Sequence, residues 1–342
     1  MSVGFIYDPI FLEHDTGAHP ENPGRMTATL ALLEGSGVLS RLERLAARDA
    51  TPEELAFVHD PRYVAGVKRV ADEGGGWVDP DTLITPRSYD VARRVVGATL
   101  AALDAVMRGD VASAFCLVRP PGHHARPMQA MGFCLFNHVA VAAEYARRVH
   151  SLERVAIIDW DVHHGNGTQD AFYDDGGVLY VSTHEYPFYP GTGAAEETGE
   201  GAGRGCSVNI PMPHGSGDPE HARAFEEVVV PVVRRFRPEL LLVSAGYDAH
   251  FADEIALQRV SVDGYGAMAS MVRELAGELC GGRLIVALEG GYHMVALPWC
   301  VRRTIEVMRG GEPVPDPLGP VPTGDVAGFD AMLSRVKALH GL

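Results

Sequence analysis

Short apolar segments rich in β-branched residues alternate along the chain with longer amphipathic segments. This alternation is typical of the strands and helices that build a mostly parallel β-sheet. The clearest predicted strands are 115–118, 155–158, 178–181, 240–243 and 284–288, and the clearest predicted helices are 89–107, 138–148, 219–235 and 264–279. The pattern therefore predicts an α/β fold.

Two stretches of the chain show neither the strand pattern nor the helix pattern. Residues 186–219 are dense in glycine, proline and charge, and they predict a long loop of the kind that usually carries function. Residues 311–325 are rich in proline and glycine and predict a surface connection to a last helix at about 327–340. The 342 residues are accordingly predicted to form a single domain over 1–342, with its core at about 1–310.

Composition and charge narrow the class of protein. The five cysteines are scattered and form no CxxC pair, which predicts free thiols and a cytoplasmic location. The chain shows no apolar stretch of about 18 residues and no secretory signal at its start, so no membrane span is expected. The formal net charge of −16 disfavours direct nucleic-acid binding and would attract a small cationic substrate, although it would also serve solubility alone. The sequence is compatible with a homo-oligomer.

Polar side chains that can do chemistry follow each of the five predicted strands. The carboxyl ends of parallel strands meet at one edge of a sheet, which is where α/β proteins bind their ligands. Five segments far apart in sequence are therefore expected to deliver their side chains to one place. These segments are 119–124, 159–167, 182–184, 244–248 and 289–292.

Three of these residues form a candidate metal site. Asp161 and His163 are two apart in an extended segment, so their side chains are expected to point the same way, and Asp248 could supply a third ligand. Two carboxylates and one imidazole leave a position open for water, as in catalytic zinc sites, although Fe(II), Co(II) or Mn(II) would also suit them. A lone Asp-x-His is a weak signal, and a lone Asp248 could simply cap a helix.

Histidine and tyrosine residues supply candidate groups for proton transfer. The adjacent His123 and His124 need partners that fix their tautomers, and Asp159 and Asn166 suit those two roles. A His–Asp pair is more basic than a His–Asn pair, so the two histidines are expected to differ in proton affinity. Tyr292 follows two glycines and could donate a hydrogen bond to a developing oxyanion.

Aromatic residues in neighbouring loops could form a narrow channel for an aliphatic chain. They lie in Gly132–Phe133 and in 188–190. Taken alone, each of these aromatic residues would more often belong to the core.

Six motifs occur in an order that resembles the histone deacetylase and acetylpolyamine amidohydrolase superfamily, including its histone deacetylase-like amidohydrolases. They are RPPGHHA (119–125), GFCLFN (132–137), IDWDVHHGNGTQ (158–169), YPGTG (189–193), SAGYDAH (244–250) and LEGGYH (288–293). The similarity extends from His14 to about Met308 and is closer to the class II branch than to class I. It implies a single α/β domain with an eight-stranded parallel sheet flanked by helices, as in arginases.

The resemblance also implies roles for the catalytic residues. It pairs His123 with Asp159 as one unit. It pairs His124 with Asn166 as a second unit and makes that histidine the general base that later protonates the leaving amine. Tyr292 would polarise the acetyl carbonyl.

Metal ions are implied by the same resemblance. One Zn²⁺ per chain would be bound by Asp161, His163 and Asp248. A K⁺ ion would be held by Asp159, Asp161, His163, Ser182 and Thr183. A second monovalent site would lie near Phe172, Asp175, Val178 and Cys206.

Substrate contacts follow from the resemblance as well. Phe133 and Tyr189 would flank the methylene chain, with Gly132 offering a backbone contact. Further implied positions are the rim residue Asp81, the gatekeeper position Ile255 beside Glu254, and Arg25 in an internal channel for acetate.

The implied function is zinc-dependent removal of acetyl groups from amines, with N-acetyl-lysine in proteins or peptides as the substrate. An acetylpolyamine or another small acetylated amine is the alternative. Two further alternatives are an arginase-type ureohydrolase and a non-catalytic acetyl-lysine binder. Arginases carry Asp-x-His-x-Asp, whereas this chain has Gly165 at the last position. His250 is not expected to be a ligand.

Overall fold

The fold is built around one sheet of eight parallel strands, as seen in a computed structural model that describes residues 2–319, 321 and 324–342. Its strands are β1 (Val3–Ile6), β2 (Glu43–Arg44), β5 (Ser113–Cys116), β6 (Val155–Asp159), β7 (Val178–Glu185), β8 (Ser207–Met212), β9 (Leu240–Ala245) and β10 (Leu284–Leu288). They lie in the order β2-β1-β5-β10-β9-β6-β7-β8. A separate antiparallel pair is formed by β3 (Gly76–Trp77) and β4 (Leu83–Ile84).

Helices cover both faces of the sheet. One face is covered by α2 (Pro52–Leu55), α3 (Pro61–Asp72), α4 (Ser88–Arg108), α5 (His138–Val149) and α6 (Asn166–Phe172). The other face is covered by α1 (Gly24–Gly35), α7 (Asp218–Ala224), α8 (Val230–Phe236), α9 (Val262–Leu279), α10 (Ala296–Arg309) and α11 (Phe329–His340). The eight-stranded parallel sheet of an α/β fold is therefore confirmed.

The central strands are apolar on both faces because a helical layer covers each of them. In β6, Val155 and Ile157 pack into the layer of α4 and α5. Ala156 and Ile158 pack into the opposite layer with α9 and α10. Successive side chains of a strand point to opposite faces, so a strand that is buried on both sides has a continuous run of apolar residues in its sequence. This is why the central strands could be recognised in the sequence.

Two strand predictions need correction. The strand predicted at 115–118 is β5 at Ser113–Cys116, and the predicted loop 186–219 contains the strand β8. The edge strand β8 has only one neighbour, so it tolerates Pro211, which lacks a backbone N–H, and the buried polar side chain of Asn209. Both residues obscured its strand pattern.

The helix predicted at 219–235 is present, but it is not α-helical throughout. It consists of α7, a π-helical turn at Phe225–Val229, and α8. Pro231 lies in the first turn of α8, and because it cannot donate a backbone hydrogen bond, the regular ladder is interrupted there. The last helix, predicted at 327–340, is α11. In the connection predicted at 311–325, positions 320, 322 and 323 lie outside the described residues.

None of the helices in the described part of the chain is both long and apolar enough to span a bilayer.

Candidate active site

The predicted polar segments meet at the carboxyl edge of the sheet. Asp159 ends β6 and lies in register with Ser182 of β7 and with Ser244 of β9. Ser182 and Ser244 are therefore inside their strands rather than after them, because β7 and β9 extend beyond the predicted ends. Long strands thus carry polar side chains up to the same edge.

Asp161, His163 and Asp248 form a buried group that could hold a metal ion. Their ligand atoms all lie within 4.8 Å of one another. The Nδ1 atom of His163 is 3.1 Å from Oδ1 of Asp161 and 3.4 Å from Oδ2 of Asp248. No second group of this kind is found within the described residues.

The surroundings of this group fit a cation. Oδ2 of Asp248 is buried and has no hydrogen-bond partner among the described residues, and an unpaired buried carboxylate oxygen is costly unless a cation neutralises it. Two glycines leave room for the carboxylates. A Cβ atom at Gly246 would lie 2.0 Å from Oδ2 of Asp161, and one at Gly290 would lie 2.1 Å from Oδ2 of Asp248. The site therefore requires glycine at both positions.

A backbone amide fixes one oxygen of each carboxylate. The N–H of Val162 donates to Oδ1 of Asp248 at 2.9 Å, and the N–H of Gly290 donates to Oδ2 of Asp161 at 2.9 Å. These bonds orient both side chains before any ion binds, which is how surrounding groups tune a metal site.

The two adjacent histidines have different partners. Nδ1 of His123 is 3.0 Å from Oδ2 of Asp159, whereas Nδ1 of His124 is 2.8 Å from Oδ1 of Asn166. Burial acts to lower the pKa of His123, but the carboxylates of Asp161 and Asp159 outweigh it and raise that pKa to about 10.

The pKa of His124 shifts the other way. Burial lowers it well below the usual value, and the positive charge of the neighbouring His123 lowers it further. His124 is consequently a neutral imidazole that can accept a proton. His123 carries a proton that Asp159 stabilises.

Tyr292 reaches the site from a glycine turn. Gly291 has a φ of 110°, a conformation that favours glycine, and this turn leads the chain from β10 to Tyr292. Burial raises the pKa of the Tyr292 phenol well above its usual value, so the phenol stays protonated and can donate a hydrogen bond. The guanidinium of Arg25 lies against the ring, 4.9 Å from its centre.

A narrow pocket of about 250 Å³ leads to His163 of the metal group. The Phe133 and Tyr292 rings meet edge to face with their centres 5.8 Å apart. Phe188, from the second of the two loops predicted to form the channel, stacks on His163 with ring centres 5.5 Å apart. The residues that line the pocket are Asp81, His124, Gly132, Phe133, His163, Phe188, Tyr189, Ile255 and Tyr292.

The pocket wall at Gly132 and Phe133 requires an unusual backbone. Gly132 has a φ of 56°, and a Cβ atom there would lie 2.4 Å from the His124 ring. Phe133 has a φ of 67°, which is uncommon for a residue with a side chain. Its N–H donates to Oγ1 of Thr82 at 3.1 Å, which helps to hold this conformation at the pocket.

Buried charged residues behind the site were not singled out from the sequence. Oε2 of Glu289 accepts hydrogen bonds from the N–H groups of Gly122 and His123 at 2.6 and 3.2 Å. Glu21 accepts two bonds of 2.7 Å from Arg119. Burial acts to raise the pKa of Glu21, but Arg119 outweighs it and lowers that pKa to about 2. A signal existed for Glu289, since a charged residue directly after an apolar strand must find partners.

The residues predicted to hold monovalent ions occupy two regions. Oγ of Ser182 is 2.9 Å from Nδ1 of His184, and Oγ1 of Thr183 is buried without a partner among the described residues. The second set lies around the start of β7. Its carboxylate, Asp175, accepts a hydrogen bond of 2.7 Å from the N–H of Gly177 and pairs with Arg147. Both ion sites stay predictions.

Two positions bear on the arginase alternative. A Cβ atom at Gly165 would lie 2.3 Å from Oδ2 of Asp159 and 2.5 Å from the Tyr180 hydroxyl, so no carboxylate could be placed there without rearrangement. His250 is 3.2 Å from Asp316 through Nε2, and its Nδ1 accepts the N–H of Ala252. Both of its ring nitrogens are thus engaged outside the metal group.

Comparisons with known proteins agree on one family. The profile of the histone deacetylase domain matches residues 19–308. A histone deacetylase-like amidohydrolase of Pseudomonas aeruginosa is 43% identical over 302 residues, which are 88% of this chain and 80% of the relative. A probable deacetylase of Archaeoglobus fulgidus is 38% identical over 314 residues, which are 91% of this chain and 87% of the relative.

A solved structure agrees with the sequence relatives. The crystal structure of the HDA15 HD domain is similar to this fold with a TM-score of 0.90 and 36% sequence identity, over 99% of this chain and 94% of that one. The matches cover most of the chain and include the segments that build the pocket. The chain therefore belongs to the histone deacetylase family and is a hydrolase acting on amides.

Proposed function

We propose that the chain is a zinc-dependent deacetylase that acts on N-acetyl-lysine in proteins or peptides. The observation that carries this proposal is the buried Asp161–His163–Asp248 group beside a narrow pocket walled by aromatic rings. A slender aliphatic chain with an amide at its end fits such a pocket, because rings cover its methylene groups and polar side chains meet the amide.

Asp161, His163 and Asp248 are the proposed zinc ligands. Two carboxylates and one imidazole leave an open position, as in catalytic zinc sites. When bound, the ion would lower the pKa of a water molecule and polarise the acetyl carbonyl. The chain's part is to fix the ligand atoms, which it does through the amides of Val162 and Gly290.

The proton transfers are assigned to the histidine pair. His124 takes a proton from the attacking water, since its imidazole is neutral and is oriented by Asn166. The same residue then protonates the departing amine. His123 keeps its proton beside Asp159 and so supplies positive charge near the developing negative charge. Tyr292 donates a hydrogen bond to the oxyanion.

The proposed substrate contacts are the pocket walls. Phe133 and Tyr189 flank the methylene chain, while Gly132 offers its backbone. Asp81 and Ile255 lie at the pocket and are the proposed rim contacts. The acetate product would leave through an internal channel beside the buried Arg25.

Monovalent ions are a separate part of the proposal. We propose that K⁺ is bound by oxygen atoms of Asp159, Asp161, His163, Ser182 and Thr183. The unpartnered Thr183 hydroxyl supports this assignment. A second site is proposed near Phe172, Asp175, Val178 and Cys206.

A substrate panel tests the proposed function. The purified zinc form is expected to hydrolyse an acetyl-lysine peptide faster than N-acetylated putrescine or spermidine, and a chelator is expected to abolish turnover. The net charge of −16 attracts small cationic amines, and salt screens this attraction. Rates on both substrate classes should therefore be measured at equal ionic strength.

Each other outcome of the panel selects a different function. Faster hydrolysis of the acetylated polyamines would make the chain a small-amine deacetylase. Binding of the peptide without turnover would indicate a non-catalytic acetyl-lysine binder. Two transition-metal ions per chain with urea release from arginine would indicate a ureohydrolase.

A further inference from the structure

The turn that carries Tyr292 contains no side chain of its own that could fix it. Gly290 and Gly291 precede the tyrosine, and glycines leave a backbone conformationally free unless other groups hold it. The position of the phenol therefore depends on contacts made by the backbone of this turn.

One side of the turn is held by a cation. The guanidinium of Arg25 donates to the carbonyl oxygen of Gly291 at 2.7 Å and to that of Glu289 at 2.6 Å. It also donates to Oε1 of Glu21 at 3.1 Å. These bonds account for carbonyl groups of the turn but not for its N–H groups.

The other side of the turn is held by an anion, Asp253. Its Oδ2 atom accepts hydrogen bonds from the N–H groups of Tyr292 at 2.6 Å and of His293 at 3.0 Å. Its Oδ1 atom lies 3.3 Å from the N–H of Ile255, which lines the pocket. One carboxylate thus joins the turn of Tyr292 to the pocket wall.

The buried carboxylate of Asp253 is stabilised by these backbone N–H groups and by no ion pair among the described residues. The residue is 6% exposed, and no Lys, Arg or His side chain among the described residues lies within ion-pair distance of it. A buried carboxylate without a cationic partner is costly, so its bonds to backbone N–H groups must stabilise it. Such charge-assisted bonds are stronger and more directional than neutral ones.

We propose that Asp253 is a positioning residue for Tyr292. Its carboxylate fixes the turn so that the phenol stands where the oxyanion of the reaction forms. This inference rests on the proposed function, because it assigns the placement of the phenol in that same reaction. It places one determinant of the Tyr292 position in the loop after β9, 39 residues away in sequence.

A double-mutant cycle between Asp253 and Tyr292 tests the proposal. Asp253→Asn keeps the shape of the side chain but removes its negative charge and one of its two acceptor oxygens, so the bonds to the N–H groups of Tyr292 and His293, which share Oδ2, lose the charge that strengthens them. Because a misplacement of about 1 Å can cost about 10²-fold in rate, kcat is expected to fall by about 10- to 100-fold. Zinc content is expected to stay within about twofold of the parent protein, since ligation does not involve Asp253, and kcat is expected to fall by a larger factor than KM rises through the weaker bond to Ile255.

The same substitution made in the Tyr292→Phe variant provides the decisive comparison. In Tyr292→Phe there is no phenol to misplace, so adding Asp253→Asn is expected to change kcat by less than about twofold. If kcat of the double variant instead falls by the product of the two single losses, Asp253 acts independently of the phenol, and the proposal is overturned. A rise in KM with unchanged kcat would overturn it as well.

Glu239→Gln is a matched control. Glu239 also accepts two consecutive backbone N–H groups, those of Glu153 and Arg154 at 2.7 and 3.1 Å, but it lies at the amino ends of β6 and β9. The same exchange of carboxylate for amide there is expected to leave kcat unchanged. If Asp253→Asn does not fold, Asp253→Glu moves the charge by one methylene group and should give the same non-additive loss.

A structural measurement separates this inference from the proposed function. If the parent protein hydrolyses no acetylated amine, the proposed function fails whatever Asp253 does. Crystal structures of the parent and of Asp253→Asn then decide the inference. A displaced Tyr292 ring would support it, and an unchanged ring would overturn it.

Discussion

Replacing Tyr292 with phenylalanine is expected to lower kcat by about 10²- to 10³-fold while the protein keeps its metal. Loss of one donor to an oxyanion typically raises the barrier by about 2.7–4 kcal/mol. The phenol lies at the pocket, and its raised pKa keeps it protonated as a donor. It is not one of the three candidate ligands, so metal content should not change. Steady-state kinetics on an acetyl-lysine peptide, with metal analysis of the same sample, measure both quantities.

Tyr265→Phe is the control for this loss. Tyr265 is fully buried, and its hydroxyl has no hydrogen-bond partner among the described residues, so removing it breaks no bond of this kind. The kcat of Tyr265→Phe is expected to match that of the parent protein. Full activity of a metal-loaded Tyr292→Phe variant would refute the role given to the phenol.

Replacing Asp248 with asparagine is expected to remove the metal and with it the activity. Changes to groups that merely orient a metal ligand cost about 10- to 100-fold in affinity, so neutralising a ligand itself should cost at least about 100-fold. The change is nearly isosteric, and an amide oxygen can still accept the N–H of Val162 that Asp248 now accepts. The fold should therefore survive. Metal analysis after gel filtration, together with kinetics at saturating substrate, tests this expectation.

Asp263→Asn controls for loss of a carboxylate. The Asp263 side chain is 67% exposed on α9 and takes no part in the metal group. That variant should retain its full metal content and turnover. A metal content for Asp248→Asn equal to that of the parent protein would show that the ion is bound elsewhere.

Much of the site could be predicted because it depends on strand ends. The central strands are buried on both faces, so their apolar runs are visible in sequence, and parallel strands necessarily bring their carboxyl ends together. Asp161, His163 and Asp248 follow two such strands directly. Their convergence needed only the sheet topology, and the structure brings all three together.

Other features depend on contacts that no local pattern encodes. Asp253 accepts hydrogen bonds from the turn of Tyr292. Glu21 pairs with Arg119, which is 98 residues away in sequence. The left-handed conformation of Phe133 has no signal in its own side chain. The edge strand β8 was missed because an edge tolerates proline and polar residues that a central strand excludes. Such features follow from tertiary packing rather than from periodicity.

Zinc titration of the metal-free protein tests the central claim most directly. Metal should be removed with a chelator, and turnover of an acetyl-lysine peptide should be followed as zinc is added back. If Asp161, His163 and Asp248 hold one catalytic ion, activity should rise from background in proportion to added zinc and level off at one ion per chain. Full turnover by the metal-free protein, or a requirement for two ions, would contradict the account.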